Sequence, residues 1–129
     1  MRNKMVALLA ALFVATGISV AAPPQAHATT YGSTVICSGG TVEWKDSAVV
    51  GIWISQPGGR SGWANFSRVD RWTANWSFDF PNDSPYQIRV GCGGKPERWQ
   101  TTNVGAYVKP SWASHDYLCD VGRGFCVLS

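Results

Sequence analysis

Along much of this chain apolar and polar residues alternate one by one, the period of a strand with one buried face. The clearest run is Trp72-Thr73-Ala74-Asn75-Trp76-Ser77-Phe78-Asp79-Phe80, which sets Trp72, Ala74, Trp76, Phe78 and Phe80 on one side. Five turn formers follow, Pro81-Asn82-Asp83-Ser84-Pro85, and Tyr86-Gln87-Ile88-Arg89-Val90-Gly91-Cys92 then alternates in the same way. Two such runs joined by a turn predict an antiparallel hairpin, with Trp72 and Trp76 on its apolar face and Cys92 pointing across the core to another layer.

The remaining segments read as further short strands. Ser33 to Ser38, Thr41 to Asp46 and Ala48 to Ser55 come first, the last of them β-branched enough to be well buried, with Trp53 on its apolar side. Pro57-Gly58-Gly59-Arg60-Ser61-Gly62 is expected to be an exposed loop, followed by a strand from Gly62 to Val69. After Cys92 come a turn over Gly93 to Glu97, short strands at Arg98 to Thr102 and Gly105 to Lys109, and a closing hairpin from Tyr117 to Leu128. No stretch carries a capped helical period. Roughly seven to nine short strands with frequent turns predict an all-β domain, either a small antiparallel β-sandwich or a small barrel. The order Cys37, Trp53, Cys92 resembles an immunoglobulin-like core and puts the sandwich ahead, although Tyr86 stands further from Cys92 than that family's tyrosine corner does. Ala64-Asn65-Phe66-Ser67 is echoed by Ala74-Asn75-Trp76-Ser77, which reads as two adjacent strands sharing a local pattern; Asn65, Asn75 and Asn82 each head an Asn-x-Ser triplet.

The N-terminus adds a location. Arg2 and Lys4 precede an uncharged apolar run from Met5 to Val20, and Ala26-His27-Ala28 has the form of a cleavage site. Residues 1–28 therefore read as a secretory signal peptide, and 29–129 as one secreted, extracellular domain with no membrane insertion. Of the formal net charge of +3, Arg2 and Lys4 carry two, leaving a nearly neutral domain with scattered cations. Nucleic acid is a poor partner for such a surface.

The four cysteines, an even number in a small exported chain, predict two disulfides. The preferred pairing is Cys37 with Cys92 and Cys119 with Cys126, because Gly122-Arg123-Gly124 would turn the last two face to face.

Candidate chemistry is sparse. His115 is the one histidine beyond the signal and is expected at the surface. It could act with Ser111 or Ser114, or join Glu97 and Arg98 in a small hydrolase, but no motif gathers these residues, and neither metal ligands nor a cofactor site can be read. The seven tryptophans are the unusual feature. Trp53, Trp72 and Trp76 read as core, whereas Trp63, Trp99 and Trp112 adjoin loops, where an exposed indole forms a platform for a sugar ring. The expected function is non-enzymatic binding of an extracellular glycan, a polysaccharide or cell-envelope polymer, through Trp63, Trp99 and Trp112. The rival is inhibition of a secreted protease or other hydrolase by Arg60 on a flexible, projecting loop. Oligomeric state is not legible.

Overall fold

The computed structural model describes residues 28–39, 48–112 and 115–129. The proposed signal peptide, the strand expected at Thr41 to Asp46, Trp44 and Ser114 lie outside them. Among the described residues there is no helix. The strands of these residues, β1 (Thr29–Ser38), β2 (Val49–Ser55), β3 (Gly62–Trp63), β4 (Asn65–Arg68), β5 (Thr73–Phe80), β6 (Gln87–Lys95), β7 (Arg98–Val104), β8 (Tyr117–Asp120) and β9 (Phe125–Leu128), form one sheet. Its order is β3-β2-β6-β7-β9-β8-β1-β5-β4. The pairings β1 with β8 and β7 with β9 are parallel and the rest antiparallel.

The two edge strands of this sheet, β3 and β4, are separated in the chain by Ala64 alone. One end of the sheet therefore continues into the other, and the sheet curls into a nearly closed barrel rather than splitting into two stacked layers. Curling hides edges that would otherwise template aggregation. At the seam, the Ala64 N–H donates to the Ile52 carbonyl at 2.9 Å and Arg68 Nε donates to the Val49 carbonyl at 3.1 Å. A bulge between Val49 and Gly51 interrupts the alternation of β2, and the successive residues Val49 and Val50 are both buried.

Alternation sends Ala74, Trp76, Phe78 and Phe80 of β5 into the lumen, along with Ile88, Val90 and Cys92 of β6, Val35 and Cys37 of β1, and Ile52 and Ile54 of β2. Truncating an aromatic ring in such a core costs about 3–5 kcal/mol. The hairpin expected between Trp72 to Phe80 and Tyr86 to Cys92 does not form: β5 pairs with β1 and β4, and β6 with β2 and β7. The two apolar faces meet across the lumen instead, with Phe80 and Tyr86 ring centroids 4.7 Å apart. Pro81 and Pro85 supply no N–H for a tight ladder. The link between the strands is held by Gln56 Nε2, which donates to the carbonyls of Asn82 at 3.1 Å and Ser84 at 2.8 Å. Trp72 also departs from expectation. It sits just before β5, in a bend where Asp70 Oδ1 accepts from the N–H groups of Trp72 and Thr73 at 2.9 Å each, and it is 50% exposed. The stretch from Gly105 to Lys109 holds a single bridge, Val108 with Tyr86, and is not a full strand. The Asn-x-Ser echo is a local pairing: Asn65 faces Ser77, Phe66 faces Trp76 and Ser67 faces Asn75.

Both disulfides pair as expected. Cys37–Cys92 joins β1 to β6 across the lumen, with Cα atoms 6.0 Å apart, and Cys119–Cys126 joins directly opposed residues of β8 and β9. Two bridges fit an oxidising, extracellular-type environment. Among the described residues, no helix is long and apolar enough to cross a membrane.

Loop-closure entropy separates the two bridges. Their sequence separations of 55 and 7 residues translate to about 4 and about 2.5 kcal/mol. Urea unfolding should therefore show the Cys37→Ala, Cys92→Ala double variant losing more stability than Cys119→Ala, Cys126→Ala. Equal losses would show that loop entropy is not the main effect of the long bridge.

Candidate functional site

Side chains gather at two places, one inside the barrel and one on its outer wall. Inside, His115 is buried, 5% exposed, which corrects its expected surface position. Its polar neighbour is the reason. Asp116 accepts hydrogen bonds from the Ser33 hydroxyl, from the Thr34 hydroxyl at 2.8 Å and from the Thr34 N–H at 3.0 Å, and so turns His115 inward. These donors hold the Asp116 carboxyl below the usual carboxylate range, the Ser33 hydroxyl contributing most.

The imidazole of His115 then lies among Tyr31, Trp76 and Tyr86, with the Trp76 indole N–H donating to the His115 carbonyl at 3.1 Å. The Pro110 carbonyl, 2.6 Å from His115 Nε2, can only accept, so Nε2 carries the proton and Nδ1 accepts from the Tyr86 hydroxyl at 2.8 Å. Tyr86 in turn accepts from the Tyr117 hydroxyl at 2.9 Å. Every member of this chain is satisfied, which is how a buried polar group avoids its desolvation cost. Both imidazole nitrogens are thereby occupied. The Ser111 backbone N–H donates to Asp83 Oδ1 at 3.2 Å, no hydrogen bond joins Ser111 to the imidazole, and Glu97 and Arg98 sit at the β6–β7 turn. Among the described residues neither grouping considered for His115 is assembled, Ser114 lying outside them, and the bonds His115 makes give it a packing role.

Outside, three tryptophans meet. Trp53 of β2 and Trp63 of β3 are directly paired, their rings edge to face with centroids 5.0 Å apart. Trp63 reaches Trp99 of β7 at 5.9 Å and 72°. Inward residues Ile52 and Ile54 leave Trp53 pointing outward and half-buried, a position the sequence reading had assigned to core. Trp99 is seated by two glycines. A Cβ on Gly91 would lie 2.2–2.5 Å from its Cδ2, Cγ and Cε2, and one on Gly51 would lie 2.7–2.9 Å from its Cζ2, Nε1 and Cε2. Several ring atoms near each point place the indole flat on the glycine backbone, an approach no side-chain-bearing residue would allow. Its N–H donates to the Pro96 carbonyl at 3.1 Å, leaving one face of the ring to the outside.

Trp63, Trp99, Pro96, Glu97 and Thr102 line a shallow open depression of about 390 Å³. Trp63 is 62% exposed. Of the three tryptophans expected to bind, the structure brings together Trp63 and Trp99. Trp112, 57% exposed, lies in the turn after Pro110, and no ring contact joins it to them. The sequence reading missed Trp53, Glu97 and Thr102 as neighbours of the pair. In the apolar run of β2 the residue types alone do not show that Trp53, between two inward isoleucines, points out.

Arg60 is held differently from the flexible, projecting loop expected. Gln56, buried, accepts from the Arg60 N–H through Oε1 at 3.0 Å, and its own N–H donates to Ser61 Oγ at 3.0 Å. Asn82 Nδ2 ties the Gly58 carbonyl at 2.8 Å. The guanidinium of Arg60 lies over the Phe78 ring, 5.1 Å from its centroid, where cation–π attraction favours it. No protein-family model, curated protein or solved structure matches this chain.

Two outcomes follow from these geometries. Burial pushes the Tyr86 phenol far above its ordinary value, with Tyr117 adding to the effect. Burial also raises the Tyr117 phenol, partly opposed by its bond to Tyr86. A raised folded-state value contributes stability that is present below about pH 10 and lost as pH rises. In an alkaline titration the Tyr86 and Tyr117 phenolate absorbance should therefore appear only together with unfolding, and ionisation of both in a folded protein would contradict the closed chain. On the outer wall, Gly91→Ala should lift Trp99 and change near-ultraviolet circular dichroism while the far-ultraviolet spectrum stays. Adding Trp99→Ala should abolish the effect of Gly91→Ala. An unchanged near-ultraviolet spectrum in Gly91→Ala would mean that Trp99 is not seated on that glycine.

Proposed function

We propose that this is a secreted glycan-binding protein and that Trp63 and Trp99 form its binding site. The observation that carries the reading is the shared depression: two indole faces converge on one open hollow, with the Glu97 carboxylate and Thr102 on its lining. Aromatic faces attract the C–H faces of sugar rings, and nearby polar groups fix the hydroxyls. Trp53 supports the foot of Trp63 from below. The export-like first 28 residues and the two disulfides accord with action outside the cell. An inhibitor acting through Arg60 gains no support from a guanidinium laid back on Phe78.

Co-sedimentation with insoluble polysaccharides and cell-wall preparations tests the proposal. The protein should be retained on at least one matrix, and Trp63→Ala and Trp99→Ala should each weaken retention at least about tenfold, equivalent to about 1.4 kcal/mol. Arg60→Ala and Trp112→Ala should bind as the parent does. Full retention by both Trp63→Ala and Trp99→Ala, or retention on no matrix, would overturn the proposal.

A further inference from the structure

We infer that the corner between Trp63 and Trp99 takes a single hydroxyl-bearing glycan chain and not the flat face of a crystalline polysaccharide. The inference rests on the glycan-binding reading above and concerns the form of ligand that this site accepts.

Ring orientation carries the step. Trp99 lies flat on the backbone of Gly51 and Gly91, as the similar distances of three of its ring atoms from a Cβ placed on either glycine show. Trp63 makes an angle of 72° with it and therefore stands off the wall of the barrel. Trp53 is half-buried, packs edge to face against Trp63 at 83°, and does not line the depression. A crystalline polymer presents many parallel chains in one plane and would need coplanar rings to stack on. Here the standing indole of Trp63 would hold such a plane away from Trp99. A single chain meets no such obstacle: one sugar face can rest on Trp99 while its edge meets Trp63.

The polar lining points the same way. With its N–H already given to Pro96, Trp99 offers only its face, so hydrogen bonding to a ligand falls to Glu97, Thr102 and the Trp63 indole N–H. Among the described residues Glu97 makes no ion pair or hydrogen bond. An ionised carboxylate only accepts, which suits the hydroxyl donors along the edge of a sugar standing in the corner. Groups at that edge are buried between neighbouring chains in a crystal and are free in a single chain.

The test compares two forms of the same polymer. Cellulose, chitin and peptidoglycan would each be offered as an insoluble matrix and as soluble fragments, with calorimetric titration of the fragments and their competition for matrix-bound protein. For the polymer that binds, soluble fragments should displace the protein completely and bind within about tenfold of the matrix. Glu97→Gln should weaken binding to the fragments, and Trp112→Ala should not. Retention on a crystalline matrix that its own soluble fragments fail to displace would overturn the inference while leaving glycan binding intact. Binding to neither form of any polymer would overturn the glycan reading itself, and this inference with it.

Discussion

The bridge between Cys37 and Cys92 joins strands that are well separated in the order of the sheet, and it can form only because the sheet curls until β1 and β6 face each other across the lumen. That closure constrains the rest of the molecule. Once the walls face inward, the alternation of β5 and β6 places Trp76, Phe78 and Phe80 opposite Tyr86, Ile88 and Val90, and one aromatic core serves the whole domain. The Tyr117, Tyr86 and His115 chain completes this core with polar groups that satisfy one another. A domain of this size has only a modest core, so a long bridge across it is comparable to much of its net stability.

Closure also determines what the outer wall can carry. With Ile52 and Ile54 committed to the lumen, Trp53 must point out, and β3 sets Trp63 directly beside it. Gly51 and Gly91 are paired on neighbouring strands and leave a bare strip of backbone on which Trp99 lies. The platform is thus a product of strand register: two glycines that look like interruptions of a strand pattern are the bed of an indole.

Much of this was legible in the sequence, and the exceptions share a cause. Period-two patterning located most of the strands, and cysteine count and spacing located both bridges, because these depend on local chemistry. Which strands pair is a non-local property, and there the reading failed: Phe80 and Tyr86 were expected to face the same way in a hairpin, yet they meet across the lumen. The two mis-assigned tryptophans show the same limit. Trp72 continues the alternation of β5 but falls beyond its end, and Trp53 lies in an apolar run where residue type alone does not reveal the outward phase. His115 was expected at the surface as a lone histidine because its burial depends on distant partners: Asp116 is held by Ser33 and Thr34, on a strand more than eighty residues earlier.

The most direct test of the Trp63–Trp99 site is a nuclear magnetic resonance titration following the indole N–H signals of the tryptophans as a soluble oligosaccharide is added. The signals of Trp63 and Trp99 should shift together and saturate at one ligand concentration, while those of buried Trp76 and of Trp112 stay in place. Shifts confined to Trp112 or Trp72, or movement of Trp63 without Trp99, would contradict a site built from the two rings as one corner.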